Sequence, residues 1–144
     1  MCDNCRMEPD ENDDNLLPPP PLRAAEIRTL TERLLNEEGW EMRAAAAKEL
    51  GQRRDLQAVE PLCIALTDRI WRVRMAAAGS LGRLKDVRAV DPLCGALQDG
   101  EWYVRVAATV ALMEIGDSRA VESLCDALAD TETAVRSSAA DALG

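Results

Sequence analysis

The sequence predicts an all-α protein, a right-handed α-solenoid of about four stacked helix pairs. The stretch Trp-Arg-Val-Arg-Met-Ala-Ala-Ala-Gly-Ser-Leu-Gly at residues 71–82 has related copies 31 positions earlier, 31 positions later and, in part, from residue 133 onward. A fixed period of this size is typical of stacked repeats. Apolar residues also recur at the three- and four-residue steps of helices. Aromatic residues make up only 3% of the chain and Phe is absent, so the core must be built from small and aliphatic side chains.

Residues 1–22 are expected to form a disordered, acidic, Pro-rich tail. Asp, Glu, Asn and Pro dominate this stretch, which therefore lacks the apolar surface needed to offset its ordering entropy. Pro18 to Pro21 predict a short polyproline II spacer. Cys2 and Cys5 form an isolated CxxC pair, which we interpret as two exposed thiols. A metal shared with another chain, or a redox role, is the alternative, because this chain has no His and no second CxxC.

The repeat domain is expected to cover residues 23–144, with repeats at about 23–51, 57–83, 88–114 and 119–144. Apolar residues at three- and four-residue steps predict one apolar face of a first helix that should end near Asn36 and Gly39: Ile27, Leu30, Leu34 and Leu35. Each later repeat opens with a short first helix and continues into a longer second helix. Aspartates in the turn between repeats are expected to cap the next helix: Asp55, Asp86 and Asp117. Glycines are expected at left-handed helix ends: Gly51, Gly82 and Gly116.

The motif Pro-Leu-x-x-x-Leu-x-Asp, followed by Val-Arg-x-x-Ala-Ala and Leu-Gly, resembles the HEAT repeat. The 31-residue spacing and the Leu-Gly…Asp-x-Arg-Ala-Val run look most like the phycobilisome-lyase-type HEAT-like subgroup. This resemblance implies an armadillo-type superhelix, with first helices on the convex side and second helices on the concave side.

The resemblance also implies a ladder of buried Asp–Arg pairs that positions neighbouring repeats. The matching residues are Asp68, Arg74, Asp99, Arg105, Asp130 and Arg136. The first copy departs from the pattern, since Glu37 replaces Asp and Met42 replaces Val beside Arg43, so the opening helix pair is expected to be a modified cap. We interpret these charges as structural, and no catalytic residue is predicted.

Residue types that catalysis and metal binding usually require are missing from the sequence. The chain has no His, which excludes His-based triads and the His–Glu pairs that hold iron in some HEAT-like enzymes. There is also no Gly-rich phosphate loop. Because both the histidines and this loop are missing, neither a metal nor a cofactor is expected. Cys63, Cys94 and Cys125 recur at one repeat position and are interpreted as core filling, with a metal or thiol site as the alternative.

The charge and cysteine usage bear on partners and compartment. A formal net charge of −9 argues against nucleic acid and against anionic membrane surfaces as partners. No apolar run is long enough for a transmembrane helix. Five cysteines, three of them at one repeat position, are not a disulfide framework, and we therefore expect a cytoplasmic protein.

The aromatic residues predict a partner-binding surface on the second helices. All four aromatics of the chain lie at the start of these helices, and the positions one and two turns further on vary between repeats. The predicted partner-binding residues are Trp40, Trp71, Arg72, Met75, Trp102, Tyr103, Val106 and Val110. Trp, Tyr, Arg and Met are enriched at interface centres. The alternative is that each Trp covers the seam between its own repeat and the next.

These features predict a non-enzymatic scaffold or adaptor that binds a partner protein on the concave face. The alternative, from the resemblance alone, is a phycobilin lyase-like protein or a lyase-associated chaperone component. A minor alternative is a fragment of a larger HEAT-repeat protein. No polar closing helix follows the last second helix, so self-association through that end is a further expectation.

Overall fold

The helices form four antiparallel pairs in the computed structural model, which describes residues 24–144. They are α1 (Ala24–Asn36), α2 (Trp40–Arg53), α3 (Val59–Ala65), α4 (Trp71–Leu84), α5 (Val90–Ala96), α6 (Trp102–Ile115), α7 (Val121–Ala127) and α8 (Thr133–Leu143). Within residues 24–144 there is no strand, which confirms the all-α prediction. The predictions for the tail, for Pro18 to Pro21 and for Cys2 and Cys5 lie outside the described residues.

The second helices α2, α4, α6 and α8 pack on one another in chain order, and each first helix packs on its own second helix. This order is that of an α-solenoid, as the 31-residue period predicts. Leucines at repeat-equivalent positions fill the middle, and they are almost fully buried: Leu50, Leu62, Leu81, Leu93 and Leu112. Alanines such as Ala47 and Ala77 are also fully buried, so the helix axes can approach closely.

The closest helix approach is made possible by glycine. A Cβ atom added to Gly51 would lie 2.5 Å from the Cβ of Ser80, and one added to Gly82 would lie 2.9 Å from the Cα of Ala111. The Ser80 hydroxyl donates a hydrogen bond of 2.7 Å to the carbonyl oxygen of Ala47 on the preceding second helix. Gly51 and Gly82 therefore serve packing between α2, α4 and α6.

The prediction of left-handed glycine ends is right for Gly116 and wrong for Gly51 and Gly82. Gly116 ends α6 with φ of 70°. Gly51 and Gly82 lie inside α2 and α4, which end at Arg53 and Leu84, and the left-handed residues are the next ones, Arg54 (φ 55°) and Lys85 (φ 53°). The left-handed residues share one repeat position at 54, 85 and 116, and only the third of them is glycine.

The turn aspartates cap the short 3₁₀ helices that lead into α3, α5 and α7, as the sequence predicts. The carboxylates of Asp55, Asp86 and Asp117 accept hydrogen bonds from the backbone N–H two residues on. The arginines that follow also join repeats. Arg88 donates to the carbonyl of Leu56 at 3.1 Å, and Arg119 donates to the carbonyl of Val87 at 3.1 Å.

A row of two-pronged arginine–aspartate ion pairs connects each repeat to the next one. Arg43 binds Asp68 through Nε at 2.8 Å and Nη2 at 3.0 Å, and Arg74 binds Asp99 at 2.7 and 2.9 Å. Arg105 binds Asp130 at 2.8 and 3.0 Å. Each pair thus joins an arginine of one second helix to the aspartate that follows the next first helix.

The two ends of this row differ from its middle. Arg43 was not among the ladder residues expected from the resemblance, yet it makes the first pair and is only 4% exposed. Its Nη1 donates to the carbonyls of Glu37 and Glu38, so the Glu37 side chain is not needed there. Arg136 has no carboxylate partner among residues 24–144, and it donates to the carbonyls of Asp130 and Thr131 and to Thr133 Oγ1.

The three repeat cysteines differ in burial, so the core-filling interpretation fails for one of them. Cys63 and Cys94 are half-buried and pack against the core, and burial raises the pKa of the Cys63 thiol. Cys125 is exposed. It lies on α7, the last of the first helices that the structure describes, so no following first helix covers it.

Candidate protein-interaction surface

The indole side chains line up because the first three second helices, α2, α4 and α6, begin with tryptophan. Trp40, Trp71 and Trp102 are the first residues of α2, α4 and α6, which pack side by side. The ladder aspartates set the turns just before α4 and α6: Asp68 accepts from the Ile70 N–H at 2.8 Å. Asp99 accepts from the Glu101 N–H at 2.9 Å. The ion pairs between repeats therefore also fix where the rings stand.

Five side chains form one continuous row, which we call the aromatic stack: Trp40, Arg72, Trp71, Tyr103 and Trp102. The Cζ atom of Arg72 lies 5.2 Å from the Trp40 ring and 4.4 Å from the Trp71 ring. The Tyr103 ring is stacked on Trp71 at 5.1 Å and on Trp102 at 3.8 Å between centroids. Each of these ring contacts contributes on the order of 0.5–1.5 kcal/mol.

The stack is partly open to solvent. Tyr103 is 44% exposed and Arg72 is exposed, whereas the three indoles are half-buried. Trp40 and Trp71 pack against the main core, and Trp102 packs against the small cluster of Ala127, Val135 and Ala139. Each indole thus covers a seam between helices with one part and leaves another part accessible. The interpretation of these residues as partner-binding and their interpretation as covers of the seam are therefore compatible.

The other predicted surface residues lie further along the same helices. Met75 and Val106 follow their tryptophans by one helical turn, and Val110 follows by two turns. All three are half-buried. Met75 packs against the main core and Val106 against the cluster that Trp102 covers. They extend the aromatic stack into an apolar strip along α4 and α6.

Arg72 is the charged residue of the aromatic stack. Among residues 24–144, its guanidinium makes no ion pair and no hydrogen bond with a side chain, and the two indoles hold it by ring contact alone. A guanidinium stacked on ring faces keeps its N–H edges free for a planar acceptor such as a carboxylate. The stack therefore offers apolar ring surface beside one oriented hydrogen-bonding edge.

Two further kinds of feature bear on function among the described residues: a cluster of metal ligands and a membrane-spanning helix. Residues 24–144 contain no group of three or more Cys, Asp or Glu side chains arranged to hold a metal ion. None of the helices in this part of the chain has the length and apolarity that crossing a bilayer requires. An open apolar groove of about 550 Å³ lies between α1 and α2.

The comparisons with known proteins agree with this architecture. Residues 27–102 and 86–144 match the sequence model described as HEAT repeats. The complex of CpcE and CpcF of phycocyanin lyase from Nostoc sp. PCC7120 is 28% identical, with a TM-score of 0.74 over 84% of this chain and 52% of that chain. Human deoxyhypusine hydroxylase in complex with glycerol is 28% identical, with a TM-score of 0.75 over 86% of this chain and 44% of that chain.

An engineered protein is 24% identical with a TM-score of 0.67, over 82% of this chain and 61% of that chain, and it supports the fold alone. The chain spans about half the length of these two natural proteins, the phycocyanin lyase chain and deoxyhypusine hydroxylase. No curated protein matches it. The similarity to phycocyanin lyase confirms the resemblance expected from the 31-residue motif. Because the matched repeats cover most of the sequence, this chain belongs to the family of HEAT-repeat proteins.

Proposed function

We propose that this chain is a non-enzymatic scaffold that binds a partner protein along its second helices, with the aromatic stack at the centre of the contact. The observation that carries the proposal is the continuous, partly exposed row from Trp40 to Trp102 on a chain that otherwise has no aromatic residue. Stacked rings held by a rigid frame lose little conformational entropy on binding, which favours an interface role. Trp, Tyr and Arg are also the residue types that dominate binding energy at protein interfaces.

The chemistry of the surface indicates the kind of segment it would bind. The rings of Trp71 and Tyr103, with Met75 beside them, offer apolar area. Arg72 offers N–H donors that carry no carboxylate in the described part of the chain. A partner segment with apolar side chains next to an Asp or Glu satisfies both features. Nucleic acid and anionic membrane surfaces are not proposed as partners, because a net charge of −9 disfavours binding to anionic surfaces.

Site-specific photo-crosslinking tests where the partner binds. A photoreactive residue is placed at Tyr103 in one protein and at Ile64 in another, because Ile64 is 58% exposed on the first helix α3. We expect a partner protein to be captured from position 103 and not from position 64. Equal capture at both positions, or capture only from position 64, would contradict the proposed surface.

Substitution tests whether the stack supplies the binding energy. Trp71→Ala and Trp102→Ala remove ring area, but both indoles also pack on the interior, so folding must be checked by circular dichroism. Arg72→Ala and Tyr103→Ala are cleaner because both side chains are exposed. We expect each to weaken capture of the partner, with Ile64→Ala as the control. Unchanged capture by all four folded variants rejects the proposal.

A second candidate function is that of a phycobilin lyase-like protein or a lyase-associated chaperone. Its support is the similarity to the complex of CpcE and CpcF of phycocyanin lyase, of which this chain spans about half. A HEAT fold does not by itself fix an activity. Incubation with a phycobiliprotein subunit and bilin distinguishes the two proposals. Chromophore transfer or binding favours this candidate, and the absence of both removes it.

Self-association through the last helix pair is a separate proposal. Arg136 occupies the ladder position but has no carboxylate partner among residues 24–144, and Val121 and Leu128 are 48% and 42% exposed. A following repeat, in a longer protein or in a second copy, would supply the missing carboxylate and cover this surface. Size-exclusion chromatography with light scattering tests self-association with a second copy: a monomer at high concentration contradicts it.

A cytoplasmic location is also part of the proposal, and it rests on the cysteine usage of the sequence.

A further inference from the structure

The exposed edge of the aromatic stack carries hydrogen-bond donors. Within residues 24–144, the indole N–H groups of Trp40, Trp71 and Trp102 make no hydrogen bond. No buried side-chain nitrogen or oxygen in that part of the chain lacks a partner, so these half-buried indoles bring their N–H groups to the surface. An indole has this one donor and no acceptor. The guanidinium of Arg72 adds further donors, so the stack calls for a partner that is rich in acceptors.

The ring faces inside the stack are already covered. The Arg72 guanidinium lies over the rings of Trp40 and Trp71. Tyr103 is stacked on Trp71 and Trp102, with interplanar angles of 14° and 25°. A partner therefore meets the edges of the rings and does not insert a side chain between them. Ring edges carry the positive end of the aromatic quadrupole, which again favours oxygen acceptors.

The spacing of the indoles indicates the conformation of the bound segment. Arg72 lies 5.2 and 4.4 Å from the two rings beside it, and successive indoles are thus separated by about 8–10 Å, as packed helices are. A polyproline II helix repeats every three residues, or about 9 Å, and its carbonyls are free of internal hydrogen bonds. A β-strand repeats on one side at about 6.6–6.8 Å, and an α-helix bonds its carbonyls internally. Of the three conformations, polyproline II matches the row.

We propose that the aromatic stack binds a proline-rich segment in the polyproline II conformation, whose backbone carbonyls accept hydrogen bonds from the indole N–H groups. This inference rests on the proposed function, because it names the kind of segment that the partner protein supplies. Proline has no backbone N–H, so the segment offers acceptors without adding donors that the indoles have no means to satisfy. Such a segment is already extended before it binds, which lowers the ordering cost. Aromatic-lined grooves bind proline-rich segments in this way.

Arg72 adds a preference for one acidic residue within the segment. Its guanidinium lies between Trp40 and Trp71, so the acidic residue falls between the two residues whose carbonyls meet those indoles. A carboxylate there bonds the free N–H edges of the guanidinium. The net charge of −9 opposes a run of acidic residues, so the bound segment carries one carboxylate among prolines.

NMR spectroscopy of the indole N–H groups provides the test, because the chain has three tryptophans and therefore three such signals. The probe is a capped peptide of ten prolines, added to the ¹⁵N-labelled full chain. A capped ten-residue peptide of alternating glycine and serine is the control. We expect the proline peptide to shift the indole signals in a saturable way and the control peptide to leave them in place.

Variants of the chain and of the peptide test the individual contacts. Trp71→Phe keeps a ring in the stack but removes its N–H, so we expect about fivefold weaker binding of the proline peptide. Ile64→Ala, on the first helix α3, is the control and should bind it unchanged. Replacing one central proline of the peptide with Glu should strengthen binding about threefold, and Arg72→Ala should remove that gain. Far-UV circular dichroism checks that each variant is folded.

Three results would overturn the inference: indole signals that do not move with the proline peptide, equal shifts with the glycine–serine peptide, or binding that Trp71→Phe leaves unchanged. The proposed function fails separately, through the partner captured at position 103. If Arg72→Ala and Tyr103→Ala weaken that capture while the proline peptide has no effect, the surface binds a partner through another kind of segment. In that case the inference is wrong and the proposed function stands.

Discussion

Arg72 and Tyr103 occupy the same position in successive repeats, and each is stacked against two tryptophan rings. Arg72 contacts Trp40 and Trp71, and Tyr103 contacts Trp71 and Trp102. The 31-residue period therefore produces an alternating row. The first residue of α2, α4 and α6 supplies an indole ring, and the second residue of α4 and of α6 supplies the side chain that lies between two indoles. The row passes through three repeats, so its geometry depends on how accurately the repeats are stacked.

Coupling between Tyr103 and Trp102 is the first prediction. Their centroids are 3.8 Å apart, so we expect a double-mutant cycle with Tyr103→Ala and Trp102→Ala to give a coupling of about 1 kcal/mol in the free energy of unfolding. Urea denaturation of the four proteins measures it. A cycle between Tyr103 and Ile64 is the control and should give no coupling. A Tyr103–Trp102 coupling indistinguishable from zero argues against a formed stack.

The ion pairs between repeats should contribute more to the free energy of unfolding than the exposed arginines in the turns between repeats do. Arg74→Ala leaves the Asp99 carboxylate without its two-pronged partner, and both side chains are largely buried. We expect a loss of about 3 kcal/mol in the free energy of unfolding. Arg88→Ala removes an exposed arginine at the outer turns and serves as the matched control, with a smaller effect. Equal losses for the two variants would show that the buried ladder has no special role.

Two glycines on the second helices should respond in opposite directions to alanine. A Cβ at Gly51 would lie 2.5 Å from Ser80 Cβ and 2.8 Å from its Cα, so Gly51→Ala should destabilise by about 1–3 kcal/mol. Gly79 lies within α4, and a Cβ added there would have nothing within 4 Å, so Gly79→Ala should stabilise by about 0.5–1 kcal/mol. Thermal unfolding measures both. Stabilisation by Gly51→Ala would contradict the close approach of α2 and α4.

Stability should fall on the acid side of the titration. Arginine hydrogen bonds lower the pKa of Asp86, Asp117 and Asp130, and at Asp68 the hydrogen bonds from Arg43 and the Ile70 N–H outweigh the opposing effect of burial. A lowered pKa means that this stability is fully present above the unfolded carboxyl pKa of about 3.9 and is lost as the pH falls through the folded value.

Urea midpoints measured between neutral and strongly acidic pH check this dependence. We expect little change above the unfolded carboxyl pKa and a steep loss below it. Asp130→Asn should lower stability at neutral pH and reduce the loss in acid, because the amide side chain does not titrate. If this variant loses as much stability in acid as the unmodified chain does, the Arg105–Asp130 pair contributes nothing to that loss.

The fold could be predicted from the sequence because its period is carried by many residues at once. The helix starts at Trp40, Trp71 and Trp102 follow directly from the repeat. The role of Arg43 was missed because the altered residues around it, Glu37 and Met42, drew the interpretation toward a modified cap. Placing it in register with Arg74 and Arg105 is the signal that would have found it.

The candidate surface was less predictable than the fold. The sequence indicates that four aromatics lie near one another, but not that Tyr103 is stacked between two indoles or that Arg72 takes the matching place one repeat earlier. Side-chain order depends on rotamers and on the spacing of helices, which the small residues Gly51, Ser80 and Gly82 set locally. Exposure of Cys125 likewise depends on which helices cover α7, and a repeat motif alone does not carry that information.

The most direct test of the proposed function is the dissociation constant of the partner captured at position 103, measured for four proteins. They are the unmodified chain, Arg72→Ala, Tyr103→Ala and, as the control, Ile64→Ala. We predict that the first two substitutions weaken binding about tenfold or more while Ile64→Ala leaves it unchanged, as expected for residues at an interface centre. Equal dissociation constants for all four folded proteins would contradict the account.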